Sequence, residues 1–128
     1  SQMGANFQIG GVSVMAQTAN SFGRGDEVSV GAKMGVGGAT IAMGKKQEDL
    51  NGTKIDSMDL TIKYAVNDAM TVSFMVEEGK AGTVKHENQG LEVAYSIAPG
   101  LTAYVGTANV DTAGTSTSGA AAALSVSF

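Results

Sequence analysis

Residues 58–76 read Met58-Asp-Leu-Thr-Ile-Lys-Tyr-Ala-Val-Asn-Asp-Ala-Met-Thr-Val-Ser-Phe-Met-Val76. Met58, Leu60, Ile62, Tyr64 and Val66 alternate with Asp59, Thr61 and Lys63, and the alternation resumes with Met70, Val72, Phe74 and Val76. Successive side chains of a strand point to opposite faces, so a period of two marks two strands with one apolar and one polar face. Asn67-Asp68-Ala69 reads as a three-residue turn, a length that keeps Val66 and Met70 on one face.

Outward from this hairpin, the same scheme fills the chain with nine alternating runs. Toward the N-terminus, Met3, Ala5, Phe7 and Ile9 oppose Gln2, Asn6 and Gln8, and a second run, Val12 to Asn20, follows Gly10-Gly11. Val28, Val30, Ala32, Met34 and Val36 precede Gly37-Gly38, with Ala39, Ile41 and Met43 after it, while Ser29, Lys33, Thr40 and Lys46 take the other face. Gly-Gly pairs suit two-residue hairpins because both central residues can take positive φ. Toward the C-terminus, Leu91, Val93, Tyr95 and Ile97, then Leu101, Ala103 and Val105, flank Ala98-Pro99-Gly100. A last run spans Gly119 to Phe128. Longer polar segments, Ser21 to Glu27, Gln47 to Ser57, Gly79 to Gln89 and Asp111 to Ser118, are expected to be long loops alternating with the short turns. The expected fold is an all-β antiparallel up-and-down meander, either a single β-barrel domain over residues 1–128 or the C-terminal segment of one.

The composition excludes several classes. No run approaches the roughly 20 apolar residues of a membrane-spanning helix. A transmembrane barrel stays open, because its strands alternate. The net charge of −4 comes from 12 acidic and 8 basic residues with no basic cluster, which argues against a nucleic-acid partner. Without cysteine, neither disulfides nor thiolate metal sites can form. Runs of nine or ten residues are about 30 Å long and, at a tilt of about 45°, project to a little over 20 Å, against a lipid-facing band about 25 Å tall. The charges fall in the polar segments or on polar faces; Lys45, beside an expected loop, is the clearest exception. Tyr64, Tyr95 and Phe128 sit on apolar faces near the short turns, where an interfacial aromatic girdle would lie.

The final strand, Gly119-Ala-Ala-Ala-Ala-Leu-Ser-Val-Ser-Phe128, resembles the C-terminal strand of Gram-negative outer-membrane proteins. Hairpins such as Gln89-Gly-Leu-Glu-Val-Ala-Tyr-Ser-Ile97 with Leu101-Thr-Ala-Tyr-Val-Gly-Thr107 are similar to those of the alphaproteobacterial general porins. The resemblance implies a sixteen-stranded barrel, a homotrimer in the bacterial outer membrane, and a terminal aromatic, Phe128, read with Val126 and Leu124 by the barrel assembly machinery. Single-chain bacterial barrels have even strand numbers, so nine runs are expected to be the C-terminal part of a larger barrel. If the first run were not a strand, an eight-stranded barrel would remain, with a structural or adhesive role through its outer loops. A soluble β-sandwich is the third possibility, disfavoured by the steady rhythm of connections.

Catalysis is not expected, since a single His86 and no nucleophile motif give no convergent groups. Gly35-Val-Gly37-Gly38 lacks the Gly-Lys-Ser/Thr of a phosphate loop. Glu48-Asp49-Leu50-Asn51-Gly52-Thr53, with Asp56 and Asp59, could offer oxygens to calcium but reads more simply as a solvated loop. Arg24-Gly25-Asp26 and Asn51-Gly52-Thr53 are short enough to arise by chance. Neither a metal nor a cofactor is expected. The functional candidates are the polar-face charges Lys33, Lys46, Asp59, Lys63, Glu77 and Glu92, expected to line a water-filled pore for small hydrophilic solutes and ions.

Overall fold

The computed structural model describes residues 1–21 and 25–127. Its nine strands are β1 (Gln2–Ile9), β2 (Val12–Ser21), β3 (Gly25–Val36), β4 (Ala39–Leu50), β5 (Thr53–Ala65), β6 (Met70–Ala81), β7 (Val84–Ala98), β8 (Leu101–Thr112) and β9 (Thr115–Val126). They form one antiparallel sheet in sequence order, with each strand paired only to its chain neighbours. All nine expected runs are strands, and β1 pairs with β2 from Gln2↔Ala19 to Ile9↔Val12, so the first run belongs to the wall. The sheet is not closed: β1 and β9 are its two edges.

The expected long loops are corrected by the structure. Gln47 to Leu50 continue β4 and Thr53 to Ser57 begin β5; Gly79 to Ala81 and Val84 to Gln89 likewise extend β6 and β7, and Asp111, Thr112 and Thr115 to Ser118 extend β8 and β9. The connections between them are two-residue turns at Asn51-Gly52, Gly82-Thr83 and Ala113-Gly114. Strands β3 to β9 therefore run 12–15 residues, about 40–50 Å at roughly 3.3 Å per residue. They stand taller than the apolar band they carry. Arg24, in the first polar segment, lies outside the described residues.

Two of these turns share one device. Asn51 and Gly52 have φ of 53° and 85°, and Ala113 and Gly114 have 53° and 81°, the paired positive values of a type I′ turn. In each, the aspartate three residues before the glycine accepts its N–H: Asp49 Oδ1 at 2.8 Å from Gly52 N and Asp111 Oδ1 at 3.1 Å from Gly114 N. Ala113 holds a left-handed conformation that alanine disfavours. Ala113→Gly is expected to raise unfolding stability by about 0.5–1 kcal/mol, read as a shift of the urea midpoint with unchanged slope.

The turns at Gly10-Gly11, Gly37-Gly38 and Asn67-Asp68-Ala69 are as expected, with Val66 N–H donating to Met70 O at 2.9 Å across the last, whereas the end between β7 and β8 differs. Asn67 Oδ1 accepts the N–H groups of Ala69 and Met70, both at 2.9 Å, closing the turn between β5 and β6. Between β7 and β8, Ala98 pairs with Leu101 across Pro99-Gly100, and the register shifts between Ser96 and Ala98. A bulge, rather than a three-residue loop, keeps Tyr95 and Ala103 on one face.

One unbroken cross-strand row runs Ile9, Val12, Met34, Ile41, Ile62, Phe74, Leu91, Thr107, Ala120. It starts at the turn end of β1 and lands on β9 about six residues before Val126. With the turn ends level, a stagger of about 20 Å over eight strand steps of about 4.8 Å tilts the strands by about 30°. Tilt of this kind is what a sheet needs to curl into a barrel.

Candidate functional site

The two faces of this wall are the site. On the apolar face, direct cross-strand neighbours include Met43↔Leu60, Leu60↔Val76, Ile62↔Phe74 and Val93↔Val105. No residue among those described is buried, and large apolar side chains stand open on this face, among them Met43 at 55%, Val105 at 59% and Leu124 at 69% exposure. Water cannot be the medium for so continuous an apolar surface, since exposed patches beyond a few hundred Å² mark a membrane or partner contact.

The apolar face ends on every strand from β2 to β9. Measured from the Gly10, Gly37, Asn67 and Gly100 turns and from the end of β9, the change to polar residues falls five to nine residues along the strand, about seven on average. It runs from Thr18 to Asn20 on β2, Val28 to Asp26 on β3, and Met43 to Lys45 on β4. On β5 it runs from Met58 to Asp56, on β6 from Val76 to Glu78, and on β7 from Leu91 to Gln89. Thr107 gives way to Asn109 and Ala120 to Ser118 on the last two strands. Seven residues at a 30° tilt make a belt about 20 Å high, close to the lipid-facing band of an outer-membrane barrel, about 25 Å. Beyond the belt this face turns polar, while the opposite face carries Leu50, Ile55, Val84 and Val110 among its polar residues.

All six residues anticipated as pore-lining share the opposite face. Lys33 stands across from Ser13 and Ala42, and Lys46 across from Ser29 and Ser57. Asp59 and Glu77 are direct neighbours, while Lys63, Ser73 and Glu92 form a row across β5, β6 and β7. The row opens onto a groove of about 590 Å³ whose floor is small, Gly90, Gly106 and Ala121 among others. Opposite charges here are separated by a serine rather than paired. Apolar side chains, Met15, Leu50, Ile55, Met75, Val84, Tyr104 and Val110, interrupt the polar face.

Three charged or titratable residues on this face, Glu27, Glu48 and His86, belong to segments whose polarity predicts loops. Glu27 and Glu48 are cross-strand neighbours, and Lys46 Nζ bridges them at 3.4 and 3.2 Å. Lys46→Gln leaves two carboxylates facing each other, and a loss of stability below about 1 kcal/mol is expected, shrinking further with added salt. His86 lies over Gly79, its strand partner, where a Cβ would meet the imidazole. Its Nε2 is 3.9 Å from Glu77 Oε1, and Asn88 Nδ2 donates to Glu77 Oε2 at 3.4 Å. The signal for all three was available: the period of two continues through them unbroken.

The acidic segment around Asp49 is a hairpin rather than a loop, and its carboxylate is engaged by Gly52 N–H. Among the described residues no group of three or more His, Asp or Glu is placed to hold a metal ion. Leu124 and Val126 lie on the apolar face of β9, opposite Ala103 and Leu101. Phe128 lies outside the described residues.

No curated protein matches the chain. The family model described as Gram-negative porin matches residues 1–127, a family of outer-membrane channels rather than of enzymes. With an all-β meander, an apolar belt and a polar opposite face already in place, the chain belongs to the Gram-negative porins.

Proposed function

We propose that this wall encloses a water-filled channel through which small hydrophilic solutes and ions diffuse passively, the apolar belt meeting lipid and the polar face lining the lumen. The observation that carries this reading is the belt itself, repeated on strand after strand, with charge confined at belt height to the other face. Lys33, Lys46, Asp59, Lys63, Glu77 and Glu92 are the pore-lining charges, and they act as an electrostatic screen with Ser, Thr and Gly between them. No step needs a catalyst or a cofactor. The small floor residues of the groove favour a wide wall over a packed interior, which disfavours the alternative of a small filled barrel acting through its outer loops.

Finer features rest on resemblance: a homotrimer, the alphaproteobacterial general-diffusion type, and recognition of Phe128, Val126 and Leu124 by the assembly machinery. The native protein, extracted from outer membranes and added to a planar lipid bilayer, is expected to give stepwise, ohmic conductance increments proportional to bulk salt. Insertion without conductance would favour the structural or adhesive barrel.

A further inference from the structure

The groove of about 590 Å³ on the polar face has a charged half and an apolar half. Its middle row runs Lys63, Ser73, Glu92, Gly106, Ala121 from β5 to β9. Met75 and Gly90 stand on one side of this row and Tyr104 on the other, and neither flanking row on these strands holds a charge. Lys63 and Glu92 are therefore the two charges of the groove, and among the described residues neither makes an ion pair. Ser73 between them sets their Cα atoms two strand spacings apart, about 10 Å. Past Glu92 the surface is bare: Gly106 is its direct neighbour, Met75 Cε lies 3.8 Å from where a Cβ on Gly90 would stand, and a Cβ on Gly119 would meet nothing within 4 Å. Leu91, Thr107, Ala120 and Ala122, of the other parity, also border the groove, each next in sequence to a glycine or alanine of the polar face.

We propose that this groove is a transit site for a zwitterionic α-amino acid with an apolar side chain. Its carboxylate meets Lys63, its ammonium meets Glu92, and its side chain lies over Gly90 and Gly106 between Met75 and Tyr104. The inference rests on the reading of the polar face as the wall of an open channel. A solute of one charge sign is attracted by one of the two groups and repelled by the other, and an uncharged solute answers neither. A zwitterion satisfies both, through charge-assisted hydrogen bonds. Two long side chains that start about 10 Å apart can close from either side on a solute whose own charges sit on one carbon. The rest of the groove decides the side chain: a thioether methyl, bare backbone and an aromatic ring suit an apolar group, with the few polar contacts gathered at one end.

The test is saturation-transfer NMR of leucine with the detergent-extracted native protein, beside bilayer conductance of the same sample. N-acetyl-leucine, which lacks the ammonium, and leucinamide, which lacks the carboxylate, serve as comparison solutes. Saturable transfer to leucine is expected, strongest at its methyl groups. Apparent affinity should fall about fivefold for either derivative, and about fivefold for leucine in Lys63→Gln and in Glu92→Gln, while Lys63→Arg keeps it. Equal transfer to all three solutes, or affinity for leucine indifferent to Lys63→Gln and Glu92→Gln in a protein that conducts, overturns the amino-acid site and leaves the channel intact. A protein that neither inserts nor conducts overturns both.

Discussion

Arginine at Ile62 is expected to cost about 2–4 kcal/mol of folding stability in lipid vesicles, the price of a charge at mid-depth in the hydrocarbon. Ile62 lies between Ile41 and Phe74 on the apolar face, about three residues from the turn end of β5 and so near the middle of the belt. Its chain neighbour Thr61 points to the polar face, where arginine is hydrated, and Thr61→Arg is expected to change stability by no more than about 0.5 kcal/mol. Met58, on the apolar face at the upper edge of the belt, gives the third point: Met58→Arg should cost about 1 kcal/mol or less, as the penalty falls toward the interface. Urea unfolding in vesicles measures all three. A soluble sandwich core would penalise positions 58 and 62 alike, without this dependence on depth.

Neutralising Asp59, Glu77 and Glu92 together is expected to convert a cation-preferring wall into one that prefers anions. On the polar face Glu27, Glu48, Asp59, Glu77 and Glu92 outnumber Lys33, Lys46 and Lys63, so the triple Asn/Gln/Gln variant reverses the sign of this face's net charge. A change of about one kT in mean lumen potential alters local cation and anion concentrations by about threefold each, in opposite directions. The zero-current potential across a salt gradient reads this directly, and the shift should fade near molar salt, where the Debye length is about 3 Å. An unchanged potential at low salt would place these carboxylates outside the ion path.

The strands and their two faces were legible in the sequence because alternation at belt height contrasts apolar with polar: Leu60 against Thr61, Val72 against Ser73. Above the belt that contrast disappears. Lys45, Gln47 and Asp49 alternate with Lys46 and Glu48, polar on both sides, and a strand with two wet faces has the composition of a loop. The turn signals were present all the same. Asn51-Gly52 is a strong two-residue hairpin sequence, yet its polar flanks have the composition of a solvated loop, and Ala113-Gly114 carries the weaker signal of an alanine in a glycine-like conformation. Parity alone puts the six pore-lining candidates on one face, and the same parity runs on through Glu27, Glu48 and His86, where no hydrophobic contrast marks it. Cross-strand relations, such as Lys46 bridging Glu27 and Glu48, depend on register, which no single strand encodes.

The central claim, that one face of the wall meets lipid and the other water, is tested most directly by single cysteines, since the chain contains none of its own. Placed at 60, 62, 74 and 91 and at 61, 63, 73 and 92 in protein assembled in native membranes, they should divide by parity. The second set is expected to react with a charged, water-soluble thiol reagent, and the first to resist it and, once carrying a fluorophore, to be quenched by nitroxides on lipid chains. Equal labelling of both sets, or labelling of the first set alone, would contradict the account.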